Sequence, residues 1–419
     1  MRIRFLLLNA YAVGGTVRTV VNQANALAAA GHDVEIASVV RRRVSPSFAV
    51  DPRVRLRPLV DRFDTSASAP FGLPSRIAEW LLRRRPSRLV PRAEVRYERF
   101  SRLTDRRLLR YLRSLEGGVL IATRPGLNLL AAEHAPPGVI TVGQEHLDFT
   151  HHDPALAAAI KRIYPRLDAV TVLTEADERA YREALDGTGV RIARIPNPLA
   201  ATLPVRSPLR RPLVVSAGRL VKSKGFGDLI AAFEGVVREH PEWQLRIYGS
   251  GPEKERLRAR IHERHLYNHV YLMGTTRQLD EVLAQASMFV LSSRHEGFGM
   301  VLAEAMSHGV PVVSYDCPQG PREIIDNGRD GLLVPPRDVH GLTAAMLRLV
   351  EDEWLRRTMG GEAAKSSERY AVERVRERWE ALFRELAAAR DGGVREAQDA
   401  GEAGGTAEGG RPGEHEPTP

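Results

Sequence analysis

Short apolar runs recur along most of this chain, each followed by a glycine-bearing or polar turn and then by helical periodicity. That alternation leaves few folds open. The first run is Ile3–Leu8, and the loop after it ends in Gly14-Gly15-Thr16. Val17, Val20, Val21, Ala24 and Leu27 then fall three or four apart, on one face of a helix. Gly31 caps that helix, and Val34–Val40 is the next apolar run. A strand that is apolar throughout has to be covered on both faces, so the unit reads as β–loop–α–β in a parallel sheet. Val119–Ala122, Val139–Val142, Ala169–Leu173 and Val190–Ile195 continue the scheme. Leu213–Ala217, Gln244–Tyr248, Val270–Leu272, Met288–Leu291 and Val312-Val313 repeat it. The expectation is an α/β protein of two Rossmann-like, doubly wound domains, residues 1–199 and 200–371. The Pro- and Arg-containing stretch 200–211 would link them. Polar residues gather where the strands end, so the ligand site is expected along those ends.

The length of 419 residues fits two domains better than one. Val372, Val375, Trp379, Leu382, Phe383 and Leu386 mark a last amphipathic helix over 372–390, expected to pack back on the first domain. Residues 391–419 are rich in Gly, Glu, Ala and Pro and read as a disordered tail. One cysteine, Cys317, excludes an internal disulfide and fits a reducing compartment. No apolar run approaches the roughly 18 residues of a membrane span. The opening MRIRFLLLNAYAVGG has too short an apolar run and no small-residue cleavage site, so it reads as a first strand rather than a signal peptide. A cytoplasmic protein is expected.

The net charge of +9 is unevenly placed. Between Arg41 and Arg113 there are 20 Arg, no Lys and 7 Asp/Glu, a local charge of +13, so the remainder sums to −4. Apolar residues such as Ile77, Trp80 and Leu81-Leu82 are interleaved with these arginines. Two readings stand side by side: solvated basic helices on the sheet edge, or a basic amphipathic surface for anionic lipid or an anionic acceptor. The segment has no nucleic-acid-binding motif, so nucleic acid is not expected as a partner.

Ser292–Val313, SSRHEGFGMVLAEAMSHGVPVV, carries the densest chemistry. Glu296 precedes the turn Gly297-Phe298-Gly299, and Glu304 lies eight residues further on, in a helix starting near Gly299. Glycines there let backbone approach a ligand, and the first N–H groups of the helix, near Phe298, Gly299 and Met300, are free for an anion. Gly14-Gly15, at the start of the first helix, reads equally as a second cradle of the same kind or as a plain tight turn.

With these residues in view, the chain resembles the retaining glycosyltransferases of family 4, which have the GT-B architecture. The resemblance covers residues 1 to about 390 and is strongest from Val214 to Val334. It rests on Glu296…Glu304, on Gly218-Arg219…Lys224-Gly225, on Gly249-Ser250-Gly251-Pro252, and on Gly14-Gly15. It implies that Arg219 and Lys224 hold the diphosphate of a nucleotide-sugar donor, that Glu296 binds donor-sugar hydroxyls, and that Glu304 binds the ribose. Gly14, Gly15, Gly249, Met273, Phe298, Gly299 and Met300 would complete the donor site. His146, after the strand Val139–Val142, would lie at the reaction centre, and Asn197 near the cleft floor, although Pro198 stands where the family usually has glycine. Asp316-Cys317-Pro318-Gln319-Gly320-Pro321-Arg322-Glu323 resembles a segment of a subgroup that includes poly(glycerol-phosphate) α-glucosyltransferases.

The resemblance thus implies a hexose moved from UDP-glucose or a close relative to a glycan, teichoic-acid-like or lipid-linked acceptor; the basic segment 41–113 adds the inner membrane face, as a peripheral protein, to the open cytoplasm as an alternative location. A GDP-mannose-dependent mannosyltransferase and a nucleotide-sugar-binding module without turnover remain as alternatives. No cofactor and no metal are expected: the histidines lack HxxxH or HExxH spacing, and no Asp-x-Asp pair of the metal-dependent kind is present. NAYAVGGTVRTV lacks the GxGxxG fingerprint of a dehydrogenase. Cys317 has no neighbouring histidine in sequence and reads as structural.

Overall fold

In the computed structural model, which describes residues 1–61, 73–201 and 204–404, the strands form two sheets, each parallel throughout. The first contains β1 (Arg2–Leu7), β2 (Asp33–Arg41), β3 (Arg55–Asp61), β4 (Val119–Ala122), β5 (Ile140–Gln144), β6 (Ala169–Val172) and β7 (Arg191–Arg194). Their spatial order is β3-β2-β1-β4-β5-β6-β7. The second contains β8 (Leu213–Ala217), β9 (Gln244–Tyr248), β10 (Val270–Gly274), β11 (Met288–Leu291), β12 (Val312–Tyr315) and β13 (Gly331–Val334), in the order β10-β9-β8-β11-β12-β13.

Both orders reverse at one point, between β1 and β4 in the first sheet and between β8 and β11 in the second. Neighbouring connections run to opposite faces there, so a crevice opens beyond the strand ends. The loops bordering the two crevices are those after β1, β4, β8 and β11. They carry Gly14-Gly15, Arg124, Arg219 with Lys224, and Glu296 with Gly297. Apart from Arg124 and Gly297, these are expected site residues, and topology alone groups them; His146 after β5, Gly249 after β9 and Met273 in β10 lie on neighbouring elements.

Each sheet is covered on both faces, as unbroken apolar strands require. On one face of the first sheet, Ile3, Phe5, Val34, Ile36 and Ile121 pack with Val20, Ala24 and Leu27 of helix Gly15–Ala29. On the other, Leu6, Ala37, Val39 and Leu120 pack with Leu103, Leu108, Tyr111 and Leu112 of helix Arg102–Arg113. That helix starts at a reciprocal cap, in which the Thr104 amide donates to Ser101 Oγ and the Ser101 amide donates to Thr104 Oγ1. Burying its leucines turns Arg106, Arg110 and Arg113 outward. Helix Leu73–Arg84 runs alongside and leaves Ile77 56%, Trp80 51% and Leu81 44% exposed, with the Arg84 guanidinium 3.9 Å from the centre of the Trp80 ring. Among the described residues no helix is long and apolar enough to cross a membrane.

The chain ends on the domain it began with. Val375, Trp379, Leu382, Phe383 and Leu386 of helix Val372–Gly404 enter the same apolar cluster as Ile3, Phe5, Val20 and Leu27. The helix continues to Gly404, beyond the boundary at 390 that composition set. Residues such as Arg395, Glu396, Ala397 and Gln398 favour helix individually, even though glycines surround them. The rest of the expected tail, from 405, lies outside the described residues. Further bonds tie the two halves: the Glu175 amide donates to Glu323 Oε1 at 2.7 Å, and the Leu199 amide donates to the Tyr370 carbonyl at 2.8 Å. Trp379 is 1% exposed with Phe383 as its ring neighbour, so Trp379→Ala opens a large cavity between the last helix and the first sheet. The expected cost is about 3–5 kcal/mol, read as a shift of the chemical denaturation midpoint followed by circular dichroism. An unshifted midpoint would show that this helix contributes little to the first domain.

Candidate functional site

The second domain supplies one wall. β11 ends at Leu291, and the chain crosses the rim through Ser292–Gly299 before helix Met300–Ser307 begins. Gly299 caps that helix with φ +90°, a conformation glycine adopts without penalty, and His308 and Gly309 (φ +70°) close it. Lys224 ends the single turn Lys222–Lys224 after β8, and its Nζ lies 2.5 Å from Glu296 Oε1. Loops from the two central strands thus deliver a cation and a carboxylate to one point. Arg219, on the same loop as Lys224, is exposed.

Not every expected residue presents its side chain. The Phe298 ring is 4% exposed and meets Tyr370 edge to face at 5.5 Å, so only its backbone can meet a ligand. Gly249 has φ +150°, and a Cβ there would lie 1.8 Å from the Gly218 carbonyl oxygen. Its glycine is therefore required for the loops after β8 and β9 to touch, which sets the position of Arg219 and Lys224. Met273 lies on the edge strand β10 and is 45% exposed. Met300 is partly buried in the first turn of its helix. Cys317 is buried, its thiol pushed up to about 11 chiefly by burial and then by Glu296, which fits an unreactive thiol.

The first domain supplies the other wall. Gly14 and Gly15 precede and open helix Gly15–Ala29, and a Cβ at either would meet nothing within 4 Å. His146 follows β5. The backbone of Gly297 comes so close that a Cβ there would lie 2.7 Å from the His146 carbonyl oxygen. The structure therefore brings His146 against the Glu296–Gly297 turn of the opposite domain. Burial, reinforced by the charge of Arg124, lowers its imidazole to about 4, and its Nε2 is buried without a partner. The ring is neutral at ordinary pH. His151, seven residues beyond the end of β5 in the short helix Phe149–His151, meets the His295 ring at 5.2 Å. Asn197 is buried, with Oδ1 unpartnered.

Two features escape a reading of the sequence. Arg18, on the first helix, reaches across the cleft and places Nη1 2.8 Å from Glu304 Oε1. Glu304 is buried, and burial raises its carboxyl while Arg18 opposes that. The second is a polar cluster behind His146. Asn128 Nδ2 donates to Glu145 Oε1 at 2.8 Å, the Tyr164 hydroxyl donates to the same oxygen, and His152 Nε2 lies 4.0 Å from Oε2. Arg18 sits within the VGGTVRTV stretch, but helical periodicity marks it only as a polar-face residue. Glu145 precedes His146 and had no signal beyond being polar at a strand end. Among the described residues no three His, Cys, Asp or Glu side chains converge as a metal site.

Comparison with known proteins agrees with this fold. The family described as Glycosyltransferase Family 4 matches residues 13–202, and Glycosyl transferases group 1 matches 204–366. The chain belongs to the GT-B glycosyltransferases of this family. It is 40% identical to an exopolysaccharide phosphotransferase of Streptomyces coelicolor over 408 residues, 96% of this chain but 42% of that protein. It is 33% identical to a poly(glycerol-phosphate) alpha-glucosyltransferase of Bacillus subtilis, over 43% of this chain and 26% of that one. The chain thus spans less than half the length of these two relatives. An uncharacterized glycosyltransferase of Haemophilus influenzae is matched over 99% of its length at 23% identity, which is 91% of this chain. Among solved structures, Staphylococcus aureus TarM superposes with a TM-score of 0.72 at 18% identity, covering 91% of this chain and 100% of that one. The sucrose-phosphate synthase of Thermosynechococcus elongatus gives 0.70 at 21% identity, covering 93% and 100%. At these identities the likeness establishes the fold.

The Glu145 cluster generates a prediction about stability. Burial is the largest influence on Glu145 and raises its carboxyl from 4.5 to about 8, so the folded protein holds a proton that the unfolded chain releases. A raised folded value means the contribution is complete below the unfolded value and is lost as pH rises towards the folded one. Thermal stability should therefore fall from about pH 4.5 to about 8 through this group, and Glu145→Gln should flatten that fall. Identical pH profiles of the melting temperature in both proteins would contradict the assignment.

Proposed function

We propose that the protein transfers a hexosyl group from a nucleoside diphosphate sugar to an acceptor hydroxyl with retention of configuration. UDP-glucose or a close relative is the favoured donor, and a cell-envelope glycan, teichoic-acid-like or lipid-linked molecule the favoured acceptor. The observation that carries this reading is the meeting of Lys224 and Glu296 at 2.5 Å on the rim directly opposite His146. Lys224 and Arg219 supply the positive charge that a departing diphosphate needs, in the place a divalent ion would otherwise fill. Glu296, fixed by Lys224, accepts hydrogen bonds from donor-sugar hydroxyls, and Glu304 accepts those of the ribose. The free amides at the start of helix Met300–Ser307 add donors to phosphate or sugar.

In this reading the acceptor oxygen attacks the anomeric carbon from the face the diphosphate is leaving. The glycosidic C–O bond to phosphate breaks, the new C–O bond forms, and a phosphate oxygen takes the acceptor's proton. The neutral imidazole of His146 contacts the sugar there and stays in that form down to about pH 4. Residues from both domains border the reacting centre, so closure excludes water that would otherwise consume the donor.

Two relatives support the proposed acceptor class. One is a poly(glycerol-phosphate) alpha-glucosyltransferase, and Erwinia amylovora supplies an amylovoran biosynthesis glycosyltransferase at 31% identity over 40% of this chain. The Streptomyces relative bears the name of a phosphotransferase, but this chain covers 42% of it, and this chain's own residues 13–202 and 204–366 match the glycosyltransferase families. For the membrane, the exposed Ile77, Trp80 and Leu81 amid arginines support docking of helix Leu73–Arg84 on an anionic lipid surface.

A panel of nucleotide sugars, read by release of nucleoside diphosphate, should single out one donor. Lys224→Ala and Glu304→Ala should each lower donor binding or turnover by at least about tenfold with folding intact. Wild-type transfer and donor hydrolysis in both variants would overturn the reading. In flotation assays the protein should rise with vesicles containing phosphatidylglycerol and not with neutral ones, and Trp80→Ala should weaken that association. Failure to float with either kind would leave the arginines as solvated surface.

A further inference from the structure

Glu304 is a buried carboxylate whose cationic partner comes from the other domain. Arg18 lies in the first turn of helix Gly15–Ala29, three residues after Gly15, and Glu304 lies in helix Met300–Ser307 of the second domain. Arg18 Nη1 and Glu304 Oε1 are 2.8 Å apart, and the Glu304 side chain is 10% exposed. A buried carboxylate is costly unless paired, and one without a partner takes up a proton.

The other charged groups facing Glu304 do not replace Arg18. Asp280, on the short helix Leu279–Leu283, adds repulsion. His308, one turn further along Glu304's own chain, opposes that, but its ring is engaged elsewhere. His308 Nδ1 is 2.7 Å from the Val205 carbonyl, and its Nε2 is 3.6 Å from Asp280. Arg18 is permanently charged and is the guanidinium aimed at this carboxylate.

We propose that Arg18 is a positioning residue for the nucleotide: by pairing with Glu304 across the cleft it holds that carboxylate ionised and oriented to accept the ribose hydroxyls. The ribose site is thereby complete only where the two domains meet. The inference rests on the reading of Glu304 as the ribose-binding group. An ionised carboxylate has about four lone-pair positions, so one contact from Arg18 at Oε1 leaves capacity for a diol. A protonated carboxyl would become a donor and lose that match. Nucleotide binding and domain closure are then reciprocally coupled, because each stabilises the arrangement the other needs.

Calorimetric titration of the full chain with UDP tests this, using wild type, Arg18→Met, Arg18→Lys, Glu304→Gln and the double variant Arg18→Met/Glu304→Gln. Arg18→Met should weaken UDP by about tenfold near pH 6 and by less near pH 8.5, since an unpaired buried carboxyl titrates higher. Arg18→Lys keeps the charge and should recover most of the affinity and the flatter pH profile. In the Glu304→Gln background, Arg18→Met should cost little more. UDP binding by Arg18→Met as tight as wild type at both pH values, with Glu304→Gln impaired, would overturn the role of Arg18 alone. Glu304→Gln binding UDP like wild type would remove the ribose reading and this inference with it.

Discussion

A parallel sheet has to be covered on both faces, and covering it forces its connections to divide between two sides. That constraint decides where this protein can do chemistry. In each sheet the division falls between two central strands, β1 and β4 or β8 and β11. The loops after those strands are the ones free to diverge and admit a ligand. Lys224 and Glu296 follow β8 and β11, Gly14-Gly15 follow β1, and His146 follows β5, the neighbour of β4. The last helix, anchored through Trp379 and Phe383, returns the chain to the first sheet and so links the two halves a second time.

Within the cleft, carboxylates set the electrostatic order. Glu296 is held by Lys224 of its own domain, whereas Glu304 is held by Arg18 of the other. Each pair places a cationic side chain beside a carboxylate with little exposed surface, and each carboxylate stays available for hydroxyl groups because it accepts several hydrogen bonds. Isolated buried pairs of this kind contribute little net stability, since desolvation offsets the attraction. Their value lies in fixing charge and direction at the rim. Deeper in the first domain the balance reverses. Glu145 has neutral hydrogen-bond donors rather than a paired cation, and burial leaves it protonated near neutral pH. Burial thus raises both Glu145 and Glu304, and of the two only Glu304 has a guanidinium at hydrogen-bond distance to oppose it.

Much of this was legible in the sequence. Periodicity alone gave the α/β class and the alternation of strands and helices, because apolar runs ended in glycine loops at regular intervals. Glu296 and Glu304 stood out because acid, glycine turn and helix start lie within a few residues of each other, whereas Lys224 entered only through the family resemblance. Contacts across the cleft did not stand out. Arg18 and Glu304 are nearly three hundred positions apart, and helical spacing marks Arg18 only as a solvent-side residue. Gly249 was visible as a glycine but not as a packing requirement, since the Gly218 carbonyl it makes room for belongs to a neighbouring loop. The Phe298 ring turned inward for a similar reason: Tyr370, which covers it, lies beyond the end of the second sheet. Sequence spacing reports local chemistry well, and long-range packing only where it repeats.

The central claim is retaining transfer from a nucleotide sugar at the cleft, and anomeric configuration tests it most directly. Proton NMR during turnover with the donor selected from a nucleotide-sugar panel would follow the anomeric proton from substrate to product. The account predicts that an α-linked donor yields an α-linked product, formed together with nucleoside diphosphate. A β-linked product, or transfer that leaves the sugar–phosphate bond unbroken, would contradict it.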